Sequence, residues 1–119
     1  MKNFKELKVW EKAHSLTKKI YRITLIFPRE ELYGLTSQIR RASVSDPNNI
    51  AEGCGRNSDA ELARFLDISM GSASELEYLM LLTKDLGMLS QTDYANLTSG
   101  VIEIKRMLAT FIKRLRADR

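Results

Sequence analysis

The sequence is short of the residues that catalysis, metal binding and covalent bracing draw on. Of its 119 residues, one is cysteine (Cys54) and one is histidine (His14). A lone cysteine rules out an intramolecular disulfide. A lone imidazole with no cysteine nearby would leave a zinc site to be completed by carboxylates. Two prolines and six glycines cannot supply the turn every ~8–12 residues that an all-β chain needs, so helices are the default. No apolar run approaches the ~20 residues of a membrane span, and the start Met1-Lys2-Asn3-Phe4-Lys5-Glu6 is no apolar signal segment. These absences predict a soluble, cytoplasmic protein with no cofactor, no metal, no membrane partner and no small-molecule substrate. What is present is balanced: 44% hydrophobic and 29% charged residues mark a globular chain. Its length suits one domain, expected over residues 1–119, that buries roughly two-thirds of its unfolded surface without staples.

Four stretches carry helical periodicity. In the first, Leu7, Trp10, Ala13, Thr17, Ile20, Thr24 and Phe27 form a mainly apolar stripe that Phe27-Pro28 ends. The second runs from about Leu32 to Gly53, with Leu35, Ile39, Ala42 and Ile50 on one face and Pro47 inside it. Spacing alone allows two readings of Pro47: a break, with Asp46 capping a new helix, or a kink in a helix that resumes at Ile50. Gly53-Cys54-Gly55 reads as a helix stop, glycine accepting the left-handed conformation in which helices often end. Ser58-Asp59-Ala60-Glu61 matches a capping box, with Glu61 reaching back to its serine. The third helix follows, striped by Leu62, Phe65, Ser69, Ala73, Leu76, Met80 and Thr83 and ending at Gly87. Its Gly71, Ser72, Ala73 and Ser74 form a small-residue patch where a neighbouring backbone could approach. Ser90 or Thr92 opens the fourth, whose Leu97, Val101, Ile104, Leu108, Phe111 and Leu115 repeat at alternating steps of four and three, a bundle seam. Short connections place consecutive helices antiparallel, predicting an all-α, up-down-up-down antiparallel four-helix bundle.

The middle of the chain carries a more specific signal. Gln38-Ile39-Arg40-Arg41-Ala42, Val44-Ser45-Asp46-Pro47-Asn48-Asn49-Ile50-Ala51-Glu52-Gly53 and Gly55-Arg56 resemble the signature of the four-helix-bundle proteins encoded by intervening sequences of bacterial large-subunit (23S) ribosomal RNA genes. Leu7-Lys8-Val9-Trp10 with Ala13, Phe27-Pro28, Tyr33-Gly34-Leu35-Thr36, Arg64-Phe65-Leu66, and Gly71-Ser72 with Glu75-Leu76-Glu77 extend the resemblance over nearly the whole chain. It implies a homo-oligomer, a pentameric ring, and a second helix kinked at Pro47 rather than broken. It also implies a fold similar to a nucleic-acid-binding accessory protein of diversity-generating retroelements. The chain departs from the family pattern at Asp46, where an apolar residue is usual, and at Asn48, where a small one is. Asp46 falls in register with Ile39, Ala42 and Ile50, so a buried carboxylate is expected; it would cap locally at Pro47 or meet an arginine such as Arg41 or one from a neighbouring subunit.

Charge is unevenly spread. Residues 2–22 hold seven Lys/Arg against two Glu, residues 105–119 hold six against one Asp, and residues 59–85 hold six Asp/Glu against two cations. In the predicted bundle Lys2, Lys5, Lys8 and Lys12 share a pole with Lys113, Arg114, Arg116 and Arg119, with Arg56 nearby. Such a pole attracts RNA phosphate through counterion release, although terminal cations also serve as ordinary solvated surface or complement a helix dipole. With no aromatic stacking platform, the expected binding is backbone-directed. On the second helix Gln38, Arg41, Ser45, Asn49, Glu52 and Arg56 form a polar ridge. It reads as a hydrogen-bonded structural seam, in which Arg41, Glu52 and Arg56 could pair, rather than a ligand site. Cys54 reads as a small apolar residue at a turn, His14 as a surface or interface residue, Met70, Met80, Met88 and Met107 as core filler, and Trp10 and Tyr21 as core or interface anchors. Val9, Leu25, Ile26, Ile68, Tyr78, Leu82, Ile102 and Ile112 fall off the stripes and point to association. The expected function is non-enzymatic RNA binding by an oligomer; the alternative is an oligomeric scaffold that docks a protein, such as a ribosomal partner, without touching nucleic acid.

Overall fold

A computed structural model describes residues 2–117. Four α-helices follow one another: α1 (Lys8–Ile23), α2 (Leu35–Cys54), α3 (Asp59–Asp85) and α4 (Gln91–Ala117), with single 3₁₀ turns at Phe4–Glu6, Thr24–Ile26 and Arg29–Glu31. Packing joins α1 to α2, α2 to α3, α3 to α4 and α1 to α4, the contacts of a helical bundle. The 27 residues of α3 and of α4 each rise about 40 Å, which accounts for a molecule of 47 × 22 × 20 Å.

The core follows the stripes of α2, α3 and α4. Leu35, Ile39, Ala42 and Ile50 are buried, as are all seven predicted positions of α3 and five of the six on α4, with Phe111 half-exposed. On α1 the buried line is Val9, Ala13, Leu16 and Ile20. Trp10 and Thr17, expected inside, are half-buried because the helix is rotated toward its flank. Val9 and Ile112, predicted to be surplus apolar surface, therefore belong to the core at 4% and 8% exposure. Leu25, Ile26, Ile68 and Tyr78 are exposed, and Leu82 and Ile102 half-buried.

Pro47 lies inside one continuous helix, so the break reading is excluded. Proline cannot donate the bond that would satisfy the Ser43 carbonyl one turn earlier. The hydroxyl of Thr17, on α1, donates to that oxygen at 2.8 Å. The orphaned acceptor is thereby satisfied across the α1–α2 contact.

The helix ends divide the glycine roles differently from the sequence reading. Gly55, after α2, has φ −82°; among the described residues only Gly87 adopts positive φ, at 80°. Gly53 serves packing instead: a Cβ there would lie 2.9 Å from both Leu62 Cδ1 and Phe65 Cβ. The start of α3 presses so closely on the end of α2 that only hydrogen fits. Ser58 caps α3 by accepting the Glu61 N–H at 3.2 Å. The Glu61 carboxylate completes no capping box, because it accepts from Arg64 at 3.0 and 3.1 Å. Ser90, rather than Thr92, caps α4 by accepting the Asp93 N–H at 3.1 Å.

Candidate nucleic-acid interface

A backbone bond fixes the amino-terminal segment against the bundle. The Lys2 N–H donates to the Cys54 carbonyl at 3.0 Å, tying the amino-terminal segment to the last turn of α2. The Phe4–Glu6 turn is capped by Asn3, whose side chain accepts the Lys5 N–H at 3.1 Å. Phe4 then meets Trp10 edge-on, centroids 4.9 Å apart, and Trp10 stacks on His14 at 4.7 Å. These ring contacts pack the amino-terminal turn onto α1.

Lys2 and Lys8 border a cleft of about 640 Å³ that the end of α4 also lines. Among the described residues its charged lining is Lys2, Lys8, Arg106 and Arg114, with Asp59 at the first position of α3 as the one acid. Leu7, Val9, Met107, Phe111 and Leu115 supply its apolar surface, with Thr110 between the two arginines. Among the described residues none of the four cations is held in an ion pair. A smaller recess of about 110 Å³ shares Lys2 and Asp59 and adds Arg56, whose guanidinium lies 4.8 Å from the Phe65 ring centre.

The cations predicted from sequence therefore separate into groups. Lys2, Lys8 and Arg114 share the main cleft, and Arg56 adjoins it through Lys2. Lys5 is exposed with its ammonium 5.9 Å from the Phe4 ring centre, and Lys113 is exposed. Lys12 pairs with Glu103 at 3.3 Å, and Arg116 pairs with Asp67. Arg119 lies outside the described residues. Arg106 joins the cleft without having been singled out. It sits two turns before Arg114 with Thr110 midway, a four-residue step that places all three on one face of α4.

Among the described residues the polar ridge of α2 is bonded through side chains only at its middle. Ser45 and Ser72 share a hydrogen bond of 2.7 Å, and the Asn49 amide donates to the Ser45 carbonyl at 2.8 Å and to its hydroxyl at 3.0 Å. Gln38, Arg41, Glu52 and Arg56 are exposed, and among the described residues no ion pair joins Arg41, Glu52 and Arg56. The residue beside this ridge is the more unusual one. Asp46 is 2% exposed; its Oδ1 accepts from the Ser69 hydroxyl at 2.7 Å, whereas Oδ2 has no partner. Neither local capping nor Arg41 meets it. Burial pushes this carboxyl up to about 7, with the Ser69 hydrogen bond pulling the other way. A carboxyl raised this far is protonated below about pH 7, and the protonated form needs no cation among these apolar surroundings.

Cys54 is buried, and burial raises its thiol further than neighbouring Lys2 lowers it. Such a thiol is unreactive. Among the described residues no cluster of His, Cys, Asp or Glu could hold a metal ion, and no helix is long and apolar enough to cross a membrane.

Comparison with known proteins sets this geometry in context. The description of the 23S rRNA-intervening sequence proteins matches residues 5–110, reaching from the amino-terminal turn to Thr110 in the cleft. The chain belongs to that family. Within the family's range lie the Pro47 block, the polar ridge and Arg106, whereas Phe111, Arg114 and Leu115 fall just beyond it. A crystal structure of a protein with unknown function from the S23 ribosomal protein family of Bacteroides thetaiotaomicron VPI-5482 superposes with a TM-score of 0.81. That protein is 24% identical, and the match covers 88% of this chain and 95% of that one. Likeness at this identity establishes a shared fold. No curated protein matches the chain significantly.

Proposed function

We propose that the protein is a non-enzymatic, homo-oligomeric, cytoplasmic bundle that binds the phosphate backbone of RNA at the pole where its chain ends converge. The observation that carries this reading is the cleft that draws Lys2 and Lys8 from one end of the chain and Arg106 and Arg114 from the other. Among the described residues four cations face one carboxylate, a balance that attracts phosphate, and release of condensed counterions supplies the affinity. The non-enzymatic part rests on the state of the few reactive groups: the Cys54 thiol is buried and the His14 ring is occupied against Trp10.

The reading includes an up-down-up-down order, supported by how contacts run between helices. Along α1 and α2, Thr17 meets Ser43 and Thr24 meets Arg40. Along α2 and α3, Ser45 meets Ser72 and Gly53 meets Leu62. Along α3 and α4, Asp67 meets Arg116 and Glu77 meets Lys105. In each case numbers climb on one helix as they fall on the next. A kink at Pro47 is supported by its place in the α2 interior, where the ring crowds the preceding turn. Oligomerisation, five-fold by the resemblance, is supported by large apolar residues in the open: Leu25, Ile26 and Tyr33 are 75%, 84% and 94% exposed, and Tyr78 is 59%.

A salt titration of binding to a structured RNA tests the reading. Four neutralised phosphates at roughly 0.7–0.9 each predict that log K falls with log salt at a slope of about −3. Arg106→Glu with Arg114→Glu abolishes binding while leaving the fold intact. Affinity that ignores salt, or none at low salt, overturns it. The exposed apolar group Leu25, Ile26 and Tyr33 also favours a second reading, a scaffold that docks a protein. Docking through that group survives the double charge reversal.

A further inference from the structure

A surface that only held phosphate would have no use for an apolar floor. The basic cleft has apolar lining, and among the described residues its single aromatic ring is Phe111, which the helical pattern assigns to the buried seam, so that no stacking platform is expected from the sequence. Phe111 occupies a seam position of α4 between Leu108 and Leu115, which are 0% and 6% exposed, yet it is itself only half-buried. Arg106 and Arg114 stand on its helix about 12 Å apart, and Lys2 and Lys8 line the same cleft. Resting on the RNA reading above, we propose that this cleft seats one unstacked nucleotide, its base against Phe111 and its flanking phosphates on the bracketing cations.

The chemistry selects this occupant. About 640 Å³ is within the roughly 300–1,000 Å³ typical of small-ligand pockets. An A-form duplex offers phosphates and hydroxyls but keeps its base faces stacked, so nothing in it reaches an apolar floor. A loop, bulge or strand end presents a bare π-face, which any base has, and stacks on an aromatic side chain without sequence preference. Asp59, acceptor-only when ionised, suits a base N–H or a ribose 2′-hydroxyl and repels phosphate. The seat therefore distinguishes single-stranded from fully paired RNA, a preference that charge alone does not generate.

Fluorescence anisotropy with a labelled five-nucleotide single strand and a blunt-ended RNA duplex decides the matter, using the full chain. The single strand should bind more tightly than the duplex at equal salt. Phe111→Leu, which keeps a large apolar residue in the seam, should weaken the single strand about tenfold with its salt slope unchanged, and leave the duplex unaffected. Thermal unfolding of the variant checks that the bundle is intact, and the strand-versus-duplex comparison needs no variant at all. Duplex bound as tightly as the single strand, or a Phe111→Leu protein that binds the strand normally, overturns the nucleotide seat while phosphate binding stands. Failure of both RNAs to bind at low salt overturns both. Phe111-dependent capture of an acidic peptide in their place assigns the cleft to a protein partner and likewise overturns the seat.

Discussion

Asp46 shows how one side chain can set the pH response of a bundle. Its carboxyl is buried against Ser69, and its ordinary value of 3.8 is raised to about 7. Well below pH ~4 the group is protonated whether the chain is folded or not, and its ionisation contributes nothing to the balance. Between pH ~4 and ~7 the unfolded chain releases the proton that the folded chain retains, so stability falls as pH rises; above ~7 the loss is complete. A shift of this size corresponds to a loss on the order of 4 kcal/mol. Asp46→Asn keeps an acceptor for Ser69 without an ionisable group. Urea unfolding should find the variant close to the parent near pH 4 and more stable by a few kcal/mol at pH 8. Stability curves that run parallel across that range would refute the assignment. The in-register position of Asp46 was legible in the sequence. Its partner was not, since Ser69 lies 23 residues away and looks like any small residue on a helical stripe.

At the scale of the helix, the continuity of α2 depends on a neighbour. Pro47 leaves the Ser43 carbonyl without its intrahelical donor, and Thr17 on α1 replaces it. Thr17→Val preserves shape while removing that hydroxyl, and chemical denaturation should register a loss of about 1–2 kcal/mol. In Pro47→Ala the helix supplies its own donor, so the same Thr17→Val change should cost much less. Equal costs in the two backgrounds would show that the hydroxyl does not serve the proline. This explains why spacing left break and kink undecided: the compensating group belongs to another element. Helix starts were easier to read, because a serine cap acts within three residues, as Ser58 and Ser90 do. Helix ends were misread at Gly53, where glycine answers to Leu62 and Phe65 rather than to backbone torsion.

Over the whole molecule, the small-residue patch of α3 divides: Ala73 is buried and Ser72 bonds Ser45, whereas Gly71 and Ser74 are exposed. A Cβ added at Gly71 meets nothing within 4 Å, so within one chain this mid-helix glycine has no packing reason. Gly71→Ala should then stabilise an isolated chain by roughly 0.5–1 kcal/mol. If other copies pack closely on α3 there, native mass measurement should instead show the variant's oligomer weakened. An unchanged oligomer together with a raised melting temperature would remove Gly71 from any interface. The same scale governs the cleft. The basic ends were plain in the sequence, but only assembly pairs Lys12 with Glu103 and Arg116 with Asp67, withdrawing two of the expected cations. It also brings Arg106 in.

By itself the sequence determined what depends on neighbours within a few residues: helical content, the apolar stripes of α2 to α4, the serine caps, the excess of cations at both ends, and the Pro47 block that marks the family. These signals are local because helical periodicity and capping act within one or two turns. Tertiary structure alone decided which long-range partner each polar group meets: Ser69 for Asp46, Thr17 for Ser43, Asp67 for Arg116. It also rotated α1 to bury Val9 and placed Phe111 in one cleft with Lys2, Lys8, Arg106 and Arg114. Such outcomes depend on how rigid helices rotate and slide against one another, and a shift of one residue turns a helix by about 100°, enough to exchange a buried side chain for an exposed one.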